Sequence, residues 1–157
     1  MKRILVLSDS HGNVENMVQA VRLTSPDLII HLGDCWVDGQ ELHALFPNIP
    51  YEAVCGNCDC VRETEEKILL LEGHRVLICH GHTYRVKSGM LNLEYGAREK
   101  DVAVALFGHT HQGFTDWHNG VRLFNPGSIG APPFGLRSSY GILTVDSREI
   151  HMEIASL

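Results

Sequence analysis

Five short apolar segments, each running into glycine and a side chain of metal-binding type, constrain this sequence more than any other feature. Ile4–Ser8 runs into Asp9-Ser10-His11-Gly12, Leu28–Leu32 into Gly33-Asp34, and Tyr51–Cys55 into Gly56-Asn57. Arg75–Cys79 runs into His80-Gly81-His82, and Val102–Phe107 into Gly108-His109-Thr110-His111. Short apolar runs bounded by turn residues read as buried strands. Glycine at a strand end lets the backbone turn sharply and approach a ligand closely. The carboxyl ends of strands in open α/β sheets are where ligand sites form.

The intervening sequence supplies the rest of the architecture. Val14, Met17, Val18 and Val21 recur at helical spacing, predicting a helix over Asn13–Leu23 that Pro26-Asp27 ends. Gly39–Phe46 reads as a short helix closed by Pro47, and a further helix is expected between Lys87 and Arg98. Strands alternating with helices imply right-handed crossovers and a parallel sheet. The later pattern is of hairpins: Lys67–Leu71 with Arg75–Cys79, Gly113–Trp117 with Val121–Phe124 across Asn119-Gly120, and Tyr140–Val145 with Glu149–Ile154. Two sheets, partly parallel and partly antiparallel, with helices outside, are the expectation. No linker or repeat divides the 157 residues, so 1–157 reads as a single domain.

Thirteen Lys and Arg against 19 Asp and Glu give a formal charge of −6, which argues against a large nucleic-acid-binding surface. Bound metals would reverse that sign locally, so phosphorylated substrates stay within reach. No run approaches the roughly 18 apolar residues of a membrane span. The opening apolar run stops at Ser8-Asp9, short of a signal core, and the expected location is cytoplasmic. Five cysteines without a secretory signal do not suggest a disulfide framework. Cys55-x-x-Cys58-x-Cys60 admits zinc or redox chemistry, but no second ligand pair stands at similar spacing, and reduced thiols are the simpler reading.

Imidazole and carboxylate together suit Mn, Fe, Zn, Co or Ni better than calcium. A pair at i, i+2 places both side chains on one side of an extended or looped backbone. One such pair carries little; Asp9 alone could be a helix N-terminal residue and His11 a loop residue. Five strand ends repeating the theme carry much more.

Taken in order, Asp9-x-His11, Gly33-Asp34, Gly56-Asn57, His80-Gly81-His82 and Gly108-His109-x-His111 resemble the calcineurin-like metallophosphoesterase superfamily. They are similar in particular to its small YfcE-type phosphodiesterase branch, which Asn125-Pro126-Gly127-Ser128 also resembles. The resemblance implies a four-layer α/β/β/α sandwich of two mixed sheets flanked by helices. It further implies a centre of two divalent metal ions, Mn²⁺ first, with Ni²⁺, Zn²⁺, Fe²⁺ and Mg²⁺ as the other candidates. Asp9, His11 and His111 would hold one ion, Asn57, His80 and His109 the other, and Asp34 would bridge them. Asp34, His82 and Asp59 are assigned to the catalytic set, and Asn57, Cys58, Asn125 and Ser128 to substrate contact. Neutral Asn57 would fill a coordination position without adding charge that repels phosphate.

The implied activity is hydrolysis of small phosphate esters, diesters first and monoesters second, by a metal-activated water. Stable nucleic-acid or membrane partners are not expected, and a homodimer is compatible with the reading. The family's Gly-Asn-His motif is here Gly56-Asn57-Cys58, and a thiol does not replace a cationic imidazole that protonates a leaving group. Activated diesters are therefore expected to be cleaved better than poor leaving groups. Two other classes compete: a non-catalytic metal-binding scaffold of the retromer-subunit type, and a sensor built on the cysteines. All seven ligand positions carry suitable side chains, which favours the enzyme.

Overall fold

Apolar strands and amphipathic helices here close into two five-stranded sheets, described for all residues 1–157 in a computed structural model. In chain order the strands are β1 (Lys2–Leu7), β2 (Leu28–His31), β3 (Tyr51–Ala53), β4 (Glu66–Leu71), β5 (His74–Cys79), β6 (Val104–Leu106), β7 (Gly113–His118), β8 (Val121–Pro126), β9 (Ser139–Val145) and β10 (Ile150–Ser156). The helices are α1 (Val14–Thr24), α2 (Trp36–Leu45) and α3 (Leu91–Glu99). One sheet has the order β10-β9-β1-β2-β3 and the other β4-β5-β6-β8-β7. β1, β2 and β3 are parallel, as are β5, β6 and β8. Antiparallel pairs complete each sheet, and both are therefore mixed.

The strands are apolar on both faces because both faces are covered. Ile4, Val6 and Ile30 of the first sheet meet Val76, Ile78, Leu106 and Phe124 of the second in a shared core. The alternate residues Leu5, Leu7 and Ile29 face Met17, Ala20 and Val21 of α1 and Leu42 of α2. Leu77, Cys79, Ala105 and Phe107 face Leu93 and Ala97 of α3. The result is the expected α/β/β/α sandwich. Each large side chain so buried contributes roughly 1.5–3 kcal/mol.

α1 forms as its spacing predicts, with the Asn13 side chain accepting a hydrogen bond from the Asn16 N–H at 3.0 Å. Two helix boundaries differ from expectation. α2 begins at Trp36 rather than Gly39 because the Trp36 N–H is capped at 2.7 Å by the carboxylate of Asp59, a donor–acceptor pair remote in sequence. α3 begins at Leu91 rather than Lys87: two 3₁₀ turns, His82–Tyr84 and Val86–Ser88, precede it, broken by left-handed Arg85 and by Gly89 at φ 133°. No helix is long and apolar enough to cross a membrane.

Candidate metal centre

Parallel strands place their carboxyl ends side by side, so the loops after β1, β2, β3, β5 and β6 share one edge of the sandwich. The backbone there is unusual. Eleven non-glycine residues have positive φ, and five of them are Asp9, His11, Asp34, His109 and His111. Left-handed backbone costs an L-residue roughly 1–2 kcal/mol, and such strain gathers where function requires it. The i, i+2 pairs are thus looped rather than extended, each ligand residue turned individually toward the centre.

Ligand-type atoms of Asp9, His11, Asp34 and His111 all lie within 4.8 Å of one another. His11 Nε2 is 3.3 Å from His111 Nε2, and His111 Nε2 is 3.2 Å from Asp9 Oδ1. A second group adjoins the first through Asp34, whose Oδ2 is 3.4 Å from His80 Nε2 and 3.7 Å from His11 Nε2. His109 Nδ1 in turn lies 3.2 Å from His80 Nε2. Asp34 stands between the two groups.

The surroundings fix which atoms face inward. His80 and His111 each set Nδ1 at 2.8 Å from a backbone carbonyl, of Leu32 and Ala131 respectively, which leaves Nε2 free for the centre. Asp9 Oδ2 accepts from the Ser8 hydroxyl at 2.6 Å and the His109 N–H at 3.0 Å. Asp9 Oδ1 is buried and has no hydrogen-bond partner. Burial pushes the carboxyls of Asp9 and Asp34 up, but the neighbouring imidazoles outweigh it and hold both below the usual range. Burial opposes charge on His80, yet Asp34 and Asp9 raise it, and the Asp9 carboxylate 3.2 Å away does the same for His111. Burial, then the charges of His80 and Lys87, push His109 down to about 4.

These features fit a cation. Metal–nitrogen bonds of about 2.1 Å at near-tetrahedral or octahedral angles put neighbouring nitrogens roughly 3.0–3.4 Å apart, as the facing imidazoles are. An ionised, buried carboxylate oxygen without a donor needs a positive partner. Asp9, His11, Asp34 and His111 would hold one ion, and His80 and His109, with Asp34, a second.

Other residues singled out in the sequence fall in several places. Asn57 is exposed and lines, with His82, a cavity of about 530 Å³ beside the centre. The His82 ring lies 5.5 Å from that of His80 and 6.2 Å from that of His109, and its Nε2 is 3.7 Å from Glu65. Cys58 is exposed, and its N–H donates to Asp34 Oδ1 at 3.0 Å. Both oxygens of Asp59 accept backbone N–H groups, from Asp34, Trp36 and Gly56, so it ties two ligand loops together. Asn125 and Ser128 are fully buried. Asn125 bonds Gly108, Thr110 and Gly127, while Ser128 donates to the Asp9 carbonyl and accepts from Ala131. His118 pairs with Glu94 at 2.9 Å, away from the centre. The five cysteines are free, and none joins the ligand cluster. Sequence reasoning missed Ser8, and no local pattern marks it as the hydroxyl that orients Asp9.

A family model described as the calcineurin-like phosphoesterase superfamily domain matches residues 1–148. The probable metallophosphoesterase YsnB of Bacillus subtilis is 36% identical over 148 residues, covering 92% of this chain and 85% of that protein. The phosphodiesterase YfcE of Escherichia coli is 27% identical over 175 residues, covering 93% and 89%. Among solved structures, a predicted phosphoesterase from Streptococcus pneumoniae superposes with a TM-score of 0.83 at 24% identity, over 99% of this chain and 89% of that one. Zinc-complexed Vps29 of Entamoeba histolytica superposes with a TM-score of 0.75 at 18% identity, over 98% of both chains. The chain belongs to the calcineurin-like phosphoesterase superfamily, and hydrolysis of phosphate esters is the class of activity to which that membership assigns it.

Proposed function

We propose that the chain is a phosphodiesterase acting on small phosphate esters in the cytoplasm, with two divalent cations at the strand-end centre. Asp9, His11 and His111 would hold the first, Asn57, His80 and His109 the second, and Asp34 would serve both. The observation that carries the reading is the group of four donors within 4.8 Å that leaves buried Asp9 Oδ1 without a partner. The name of the Escherichia coli relative supports a diester substrate. Divalent ions bound there supply a water of lowered pKa and neutralise phosphoryl charge.

The protein's own groups do the positioning. Ser8 and the His109 N–H orient Asp9, the Leu32 and Ala131 carbonyls orient His80 and His111, and Asp59 locks the Asp34 and Asn57 loops in register. Neutral Asn57 adds no charge against an anionic ester. In the reaction the water oxygen bonds to phosphorus, the ester P–O bond breaks, and the departing alkoxide takes up a proton. Partial desolvation and the Asp34 charge push the thiol of exposed Cys58 up, making it a poor donor of that proton. Good leaving groups are therefore cleaved much faster than alkyl ones.

The second reading is a non-catalytic metal-binding scaffold, favoured by the fold shared with zinc-complexed Vps29. The test strips the protein with chelator, restores Mn²⁺, Mg²⁺, Zn²⁺ or Ni²⁺ singly, and follows bis-p-nitrophenyl phosphate beside p-nitrophenyl phosphate. Metal-dependent diester cleavage that disappears in Asp34→Asn supports the enzyme. Two ions bound per chain without turnover by any metal overturns it in favour of the scaffold.

A further inference from the structure

The segment between β6 and β7, which carries His109 and His111, also walls a cavity of about 400 Å³. Thr110, between the two histidines in sequence, and Gln112 form one side of it. Met90, Phe107 and Phe114 form an apolar side, with the two phenylalanine rings edge-to-face at 6.1 Å. Lys87 is its one charged residue. Lysine and arginine ion pairs in the chain involve Lys2, Lys67, Arg98 and Lys100, which leaves exposed Lys87 without a carboxylate partner.

The cavity beside Asn57 and His82 has the opposite character. Asp59, Glu63 and Glu65 line it, against a single Arg62. An anionic ester with an apolar ring is repelled there and attracted to the Lys87 side. Small-molecule sites occupy roughly 300–1,000 Å³, so about 400 Å³ admits one ring-sized group and little more. One lysine balances one phosphate charge, not a polyphosphate.

We propose that this cavity is the subsite for the retained ester group of a phosphodiester, and that this group is aromatic, an aryl or nucleobase-bearing alcohol. Its ring lies against Met90 and Phe114 while Lys87 faces the phosphate. The proposal rests on the phosphoesterase reading and narrows its substrate class.

The test compares bis-p-nitrophenyl phosphate with methyl p-nitrophenyl phosphate on the Mn²⁺-loaded protein. The leaving group is the same, and only the retained group changes. The aryl diester is expected to be preferred in kcat/KM by about tenfold or more. In Lys87→Glu, and in Gln112→Trp, which fills the cavity from an exposed position, that preference falls to about threefold or less. Intrinsic differences between the two esters are common to all variants and cancel. Arg148→Ala, on the β9–β10 turn, controls for loss of surface charge.

A readout independent of turnover is the Met90 methyl resonance, assigned with Met90→Leu. On the Mg²⁺-loaded protein it should shift with phenylphosphonate and not with methylphosphonate. Turnover with an unaltered preference in both variants, or a Met90 methyl that ignores phenylphosphonate, overturns the subsite and leaves the phosphoesterase reading standing. A Met90 shift in a protein without turnover supports the subsite and removes the phosphoesterase reading.

Discussion

Gly56→Ala should disable the centre while leaving the fold intact. A Cβ at Gly56 would stand 2.2 Å from Asp34 Oδ1 and 2.7 Å from the Asp34 backbone nitrogen. Ordinary contact begins near 3.4 Å, so the carboxylate must retreat by 3.4 − 2.2 = 1.2 Å and the nitrogen by 3.4 − 2.7 = 0.7 Å. Neither moves freely. Oδ1 accepts from the Cys58 N–H at 3.0 Å, and the Asp34 N–H is held by Asp59 at 3.1 Å. Gly56 is not among the glycines of positive φ, so alanine adds no strain of its own. Overpacking of this kind costs about 1–3 kcal/mol, which a denaturant titration reads directly. A displacement near 1 Å of a residue that positions the chemistry costs about 10²-fold in rate. The assay is metal titration by calorimetry together with diester turnover. Gly56→Ala protein that binds metal as tightly as the parent and turns over within threefold of it would refute the placement of Asp34 at the heart of the centre.

Three further outcomes are expected. His31 is fully buried, its Nδ1 accepting from the Gly33 N–H, and burial pushes it from 6.5 down to about 4. Because the folded value is depressed, the neutral ring's stabilisation is fully present above pH 6.5 and is lost as pH falls toward about 4. The difference, 6.5 − 4 = 2.5, corresponds to roughly 3 kcal/mol; urea midpoints of metal-free protein should fall steeply over that range and less so in His31→Gln. Saturating a divalent ion at a hundred times its Kd adds about 2.7 kcal/mol, raising the melting temperature by roughly 5–10 °C, an increment that should vanish in Asp9→Asn when scanned with and without chelator. Glu94→Ala strips a buried carboxylate from Asn119, 2.6 Å away, and from His118. It should lower stability by about 1–3 kcal/mol in equilibrium unfolding with turnover within twofold, since the cluster ties α3 to the β7–β8 hairpin rather than to the ligand loops.

Much of this molecule is legible without coordinates. Strand order of appearance, the two-sided burial of Ile4–Leu7 and Val76–Cys79, and the succession of Gly-plus-ligand strand ends are local properties, and local sequence encodes them through periodicity and turn chemistry. Helix boundaries were less legible where the cap came from far away. Asp59 closes the start of α2 from another loop, and nothing near Trp36 announces it.

The sequence by itself determined the architecture and the residue types at the centre, because apolar patterning and ligand chemistry are written residue by residue. Tertiary structure alone decided what each polar side chain does. It turned Asp9, His11, Asp34, His109 and His111 into left-handed backbone, uncommon for any residue with a side chain, and surrounding packing offsets that strain. It buried Asn125 and Ser128 as struts, bound Asp59 to backbone donors, and set Lys87 in the cavity that Thr110 and Gln112 wall. Those roles depend on which groups from distant segments occupy a side chain's hydrogen-bonding capacity, and that is a property of the assembled loops rather than of any one of them.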